Sequence, residues 1–299
     1  MSGTTEIEKQ NHQWHSLIAA HEAIFAISME GTLIQMDEEG TVLKQVNTPL
    51  DLPWVLSTKE GVTAVGRWDA RWIQWHVSKD RIETFGPLVT GRVTAVSQYA
   101  DKLYAAAANR DIAIPTPNKK DQVTLSPGMI FQIGNKGEVN QIPTEIIGQI
   151  EHLAVAQNVL VFVDSHSPTT IQILDRSSGA LSTIASTAAV RCLTVLNDTL
   201  LIATDESLVR VALENLSTTT KALPQDFYRV QKIQIIGDDT YLLTSNGVYR
   251  SFDFEPITKQ DGSPVDMVAH RGGVLTLWQD GTLELYHPDA PLEQFQIKK

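Results

Sequence analysis

Several things are scarce in this 299-residue sequence, and each scarcity removes a class of protein. Cysteine occurs once, at Cys192, so neither an internal disulfide nor a thiolate-built metal cage can form. Inside the apolar run RCLTVL the lone thiol reads as core filling. Lysine and arginine total 24 against 35 aspartates and glutamates, a formal net charge of −11. That balance points away from nucleic acid and from an anionic membrane, because both need clustered cations. No apolar run approaches the ~18 residues of a membrane-spanning helix. The opening MSGTTEIEKQNHQ lacks the basic start and apolar stretch of a signal peptide, so a soluble, cytoplasmic protein is expected. Helical periodicity is almost absent; its best candidate, 208–216, fits a strand and a turn better.

Catalytic signatures are scarce as well. No serine or threonine sits in a nucleophile turn, and neither calcium-loop spacing nor a glycine-rich phosphate loop occurs. Paired carboxylates at Glu38-Glu39 and Asp238-Asp239 fall in turn sequences, where acidic residues are ordinary. No cofactor and no metal are expected.

What is present is a repeat. GVLTLWQDGTLELYHP at 273–288 reads as an apolar run, an Asp-Gly turn and an alternating run, a strong hairpin signal. IFAISMEGTLIQMD at 24–37 repeats it, with Gly-Thr-Leu in the same place. Searching for the unit divides residues 14–299 into seven groups of four short β-rich runs, about 41 residues each, the length of a β-propeller blade. The second run of each group is nearly all apolar, as a strand covered on both faces must be. The fourth is the most polar, which suits an outer edge. The expected fold is therefore all-β: a seven-bladed propeller of four-stranded antiparallel blades, with six or eight blades as the alternative count. Residues 1–13 read as a flexible arm, 14–299 as one domain, and 109–127 as an insertion between the second and third strands of blade three. If the chain begins in an inner strand and ends in an outer one, ring closure rests on side-chain packing, or on an arm strand at Thr5-Glu6-Ile7-Glu8.

Over residues 14–299 the chain resembles the β-propeller superfamily, with a WD-repeat-like or quinoprotein-like pattern. Trp68-Asp69 stands in a turn and not in the Gly-His…Trp-Asp position of WD repeats. SNGVYRSFD at 245–253 is similar to the Asp-box turn of sialidase-type propellers, and DGTL to quinoprotein-type repeats.

In such a ring the loops joining blades, and those joining second to third strands, share one face, the top. Four sets of residues stand out. Trp54, Trp68, Trp72 and Trp75 crowd into blade two; Trp72 and Trp75 point to opposite sides of one strand and read as core. Trp54 and Trp68, beside Arg67 and Arg71, read as exposed anchors for a partner protein. In the 109–127 segment, Ile112, Ile114, Lys119 and Lys120 offer apolar grip and local positive charge. The starts of the inner strands place His15, Trp54, Arg92, His152, Arg191, Lys232 and Asp266 around the channel mouth, where an acidic peptide or small anion would meet basic side chains. His21 and His270 end inner strands of the first and last blades; two histidines make an incomplete metal site, which needs a third ligand such as Glu22.

The function expected is a non-catalytic protein-interaction or assembly module, a scaffold binding a partner protein or multiprotein complex through the top face. The alternative is a propeller enzyme, a lactonase-type hydrolase or lyase. There Arg92, Arg191 and Lys232 would hold a small anionic metabolite while His15 or His152 moves protons.

Overall fold

The computed structural model describes residues 13–68, 70–89, 91–109, 128–134, 137–144, 146, 148–225, 227–251, 253–258 and 262–298. These residues form seven antiparallel sheets in chain order, as the repeat predicts. The inner strands are Trp14–Ala20, Trp54–Thr58, Gly91–Tyr99, Ile150–Val155, Val190–Leu196, Val230–Ile236 and Pro264–His270. Six blades have four strands. In blade six the fourth is reduced to a Tyr249–Pro256 bridge flanked by two hydrogen bonds, Ile257 N donating to Val248 O at 2.9 Å and Arg250 N to Glu255 O at 3.0 Å. Proline has no N–H to give a ladder, which keeps that edge short. One 3-10 turn, Val77–Lys79, is the helical content of the described residues, and the stretch at 208–216 is indeed strand, Ser207–Ala212, followed by a turn.

The core is not inside blades but between them. Apolar residues group into seven clusters, and each spans one junction between neighbouring blades. Alternation along the second strands produces this division. In Ala23–Ser28, buried throughout, Ile24 and Ala26 face blade seven while Phe25 and Ile27 face blade two. Trp72 and Trp75 divide in the same way, Trp75 toward blade one and Trp72 toward blade three. Each such Leu, Ile or Phe contributes about 1.5–3 kcal/mol by leaving water. The outer strands, by contrast, are exposed; Thr218–Ala222 is so along its whole length.

A second repeated element closes the turns between second and third strands. Ser28, Asp164, Thr204 and Thr244 each end a second strand and accept backbone N–H groups of the following turn. Short hydroxyl or carboxylate side chains do this locally and hold the top loops in place.

Closure corrects one expectation. The seam between blades seven and one has the packing predicted, with Leu275, Leu277, Leu283 and Leu285 against Ile24, Ile34 and Met36. It also has a backbone clasp at its outer edge: Val42 N donates to Lys298 O at 2.7 Å, and Lys298 N to Gly40 O at 2.9 Å. The arm strand proposed at Thr5–Glu8 lies outside the described residues, and Gln13 already belongs to the fold, its carbonyl accepting from Met29 N at 2.7 Å. Gly40 holds a left-handed φ of +79°, and a Cβ there would stand 2.7 Å from Gln296 O. Gly179 has a similar φ of +73° but open space around it. Gly179→Ala should therefore cost about 1 kcal/mol of backbone strain, and Gly40→Ala at least about 1 kcal/mol more. Urea unfolding of both variants measures this, and equal losses would mean that the clasp does not constrain the seam.

Candidate functional site

The channel mouth is built by one device used repeatedly. In blades one, four, five, six and seven the pairing of inner with second strand slips at the strand entry, leaving His15, Glu151, Arg191, Gln231 and Val265 as bulged residues. A bulge re-aims the side chains beside it. The residue after each bulge reaches the next blade. Ser16 Oγ accepts from Val55 N at 3.2 Å. His152 Nε2 donates to Val190 O at 3.2 Å. Cys192 packs against Val230 and Ile233. Lys232 Nζ lies 2.6 Å from Asp266 Oδ1, and Asp266 Oδ2 accepts from Leu17 N at 2.8 Å and Ser16 Oγ at 3.3 Å. At the remaining junctions Val93 N donates to Arg67 O at 2.8 Å, and Arg92 donates to Gln149 Oε1. The result is a belt of contacts crossing every blade junction.

Below the belt lies a cavity of about 610 Å³ lined from all seven inner strands, among them His15, Trp54, Arg67, His152, Lys232 and Asp266. Burial, reinforced by Arg67, holds the His15 imidazole below its usual pKa against the opposing pull of Asp266 and Asp51. Burial likewise depresses His152, with Arg229 and Arg191 adding to it and Glu151 and the Val190 carbonyl opposing. Burial pushes the Cys192 thiol up to about 12, so it is no nucleophile.

The cations expected to ring the mouth divide into two kinds. Lys232 is engaged by Asp266, and Arg191 turns to Asp205 in a two-pronged ion pair that raises the arginine and lowers the carboxylate. Arg92 and Arg191 do not line the cavity. On the rim between blades two and three, Arg67 sits 5.1 Å over the Trp54 ring and Arg92 5.7 Å over Trp68. Trp68 and Arg92 are joined by a backbone bridge. Trp68 is 44% exposed, while Trp54 is half-buried with His15 6.3 Å away, and Arg71 faces solvent. The expected anchor pair is thus one exposed tryptophan and one covered by its neighbour's guanidinium. Ile112, Ile114, Lys119 and Lys120 lie outside the described residues.

At the opposite end His21 and His270 go separate ways. His21 Nε2 donates to the carbonyls of Thr58 and Gly61 at 2.8 and 2.9 Å, tying blade one to blade two. His270 is depressed by burial and by its own blade's His287. Among the described residues no group of three His, Cys, Asp or Glu stands in metal-binding array.

Sequence reasoning missed Ser16, Gln149 and the bulges; the signal was the recurrence of a polar residue two positions into the inner strands. Asp266, only 7% exposed, joins three blades through side-chain contacts. Asp266→Ala should cost about 2–4 kcal/mol. Asp205→Ala, which breaks a largely exposed pair, should cost less than about 1 kcal/mol. Denaturant unfolding of the two variants decides it; similar small losses would show that the belt contributes little.

No family model matches this chain. No curated protein matches it either. Among solved structures, the WD40 domain of Neurospora crassa Pan2 superposes with a TM-score of 0.69 at 12% identity, covering 99% of this chain and 94% of that one. The computationally designed protein Ika8 superposes with a TM-score of 0.63, also at 12% identity, covering 96% and 88%. At such identities the likeness is one of fold. The chain is a seven-bladed β-propeller, similar in fold to that WD40 domain.

Proposed function

We propose that this propeller is a protein-interaction or assembly module that receives a partner protein on its top face. The contact set centres on Trp68 with Trp54, Arg67, Arg71 and Arg92, and extends to the 109–127 segment through Ile112, Ile114, Lys119 and Lys120. The observation that carries the reading is the exposure of Trp68 between arginines on a rigid rim, since a half-exposed tryptophan beside arginine is the typical content of an interface hot spot. Rigidity comes from below: Val93 N and the Trp68–Arg92 bridge tie the loop to blade three, so little order is lost on docking. The likeness to a WD40 domain supports the reading at the level of architecture.

The enzymatic alternative draws on the cavity and its two histidines, but two of the three cations it needs are held by Asp205 and Asp266. That leaves the surface reading ahead.

Both parts of the contact set are testable on one chain. Trp68→Ala should weaken partner binding by about 2 kcal/mol, roughly thirtyfold, while costing about 1 kcal/mol or less of stability. Removing residues 110–127 leaves Asn109 and Gly128, whose neighbour Ala108 is already Gly128's register partner, so the hairpin has ends that meet. Affinity capture from the source cell with the natural chain, Trp68→Ala and the shortened chain should recover the same partners with strongly reduced yield from both variants. Equal recovery from all three contradicts the proposal.

A further inference from the structure

Among the described residues, the rim between blades two and three carries two arginines with no ion-pair partner. Ion pairs elsewhere join a cation to a carboxylate: Lys44 to Asp80, Arg191 to Asp205, Lys232 to Asp266, Arg250 to Asp253, Arg271 to Glu38. Arg67 and Arg92 are brought together by the Trp68–Arg92 bridge and the Val93 N–Arg67 O hydrogen bond, yet among the described residues neither guanidinium has a carboxylate within ion-pair distance. Among the described residues, the Arg92 side chain donates to the neutral amide oxygen of Gln149. The cost of placing like charges side by side registers on Arg67, which is held below its usual pKa by burial and then by Arg92. Each guanidinium lies over an indole within cation–π range, a contact that does not use its N–H donors. Directly beside Arg67, the Nε2 of His15 is buried without a hydrogen-bond partner. A buried polar atom left unpaired is costly, so a ligand group that reached His15 would be favoured.

Resting on the proposal that the top face receives a protein, we infer that Arg67 and Arg92 form a carboxylate-recognition site for an aspartate or glutamate side chain of the partner. A guanidinium carries a planar fork of N–H donors that suits a two-oxygen acceptor, and two such groups meet on this rim. One negative charge suits the site better than the two of a phosphate. Asp51, Asp266 and Glu151 lie around the same mouth and repel a dianion more than a monoanion. Trp68, exposed beside the pair, packs against the apolar part of the entering residue. The partner segment is therefore acidic with an apolar neighbour, even though the chain as a whole carries a net charge of −11. Recognition is local, not a matter of overall charge.

The test is a selection from a random peptide display library on the immobilised full chain, followed by fluorescence anisotropy with the enriched peptides. Enriched sequences should carry Asp or Glu at one fixed position. Replacing that residue by Asn or Gln, or using Arg67→Gln or Arg92→Gln, should each weaken binding at least about tenfold. Arg67→Lys, which keeps the charge and the fold but loses the fork, should also bind more weakly. A phosphoserine at the same position should bind no tighter than the carboxylate. Enriched peptides without a fixed acidic residue, binding indifferent to both arginines, tighter binding of the phosphopeptide, or no enrichment at all would each overturn the site. The two proposals separate cleanly: partner capture lost with Trp68→Ala but kept with both arginine variants removes the carboxylate site and leaves the interaction face. Acidic peptides that bind through the arginines while partner capture ignores Trp68→Ala remove the interaction face instead.

Discussion

A β-sheet that is apolar on both faces has no stable existence alone; something must cover each face. In this chain every blade is such a sheet. The second strands of blades one, two and seven are buried at every position, and the two terminal blades are covered as completely as those inside the sequence. Only a closed ring gives each blade two neighbours. Closure is thus the constraint from which the rest follows: the seven interfacial clusters, the belt at the channel mouth and the rigidity of the top rim.

The belt shows how a repeat fold makes a polar feature from ordinary parts. A bulge at the start of the inner strand turns the next side chain toward the neighbouring blade, and evolution has filled that place variously with Ser16, His152, Cys192, Lys232 and Asp266. Four of these are polar and make cross-blade contacts; Cys192 makes the contact by packing. Most of the charge at the mouth is consumed by this work. The arginines between blades two and three are different, because among the described residues their side-chain partners are indoles and an amide.

The fold was legible because its signal is redundant: an apolar second strand and a Gly or Asp turn recur through the chain, and the sum locates all seven blades even where blade six is short. Strand periodicity also separated Trp72 from Trp75 correctly. The site was only partly legible. Position in the repeat was enough to bring His15, His152, Lys232 and Asp266 to one cavity, but not Arg92 and Arg191, which do not line it. Which carboxylate takes which cation depends on bulges and side-chain reach across a junction, and nothing in the order of residues encodes that Asp205 faces Arg191 or that Arg92 is left with Gln149. The clasp of Lys298 on Gly40 and Val42 was hidden for the same reason, being a contact between the two ends of the sequence.

Closure itself can be read directly by native-state hydrogen exchange. The amides of Leu17, bonded to Asp266 across the seam, and Val42, bonded to Lys298, report on the junction of blades seven and one. Those of Ala106, Val161 and Ile202 report on junctions within the sequence. A closed ring predicts that both groups exchange in one slow class, opening only with the whole domain. Leu17 and Val42 exchanging orders of magnitude faster than the others would show a ring that opens at its seam, and would contradict the account at its root.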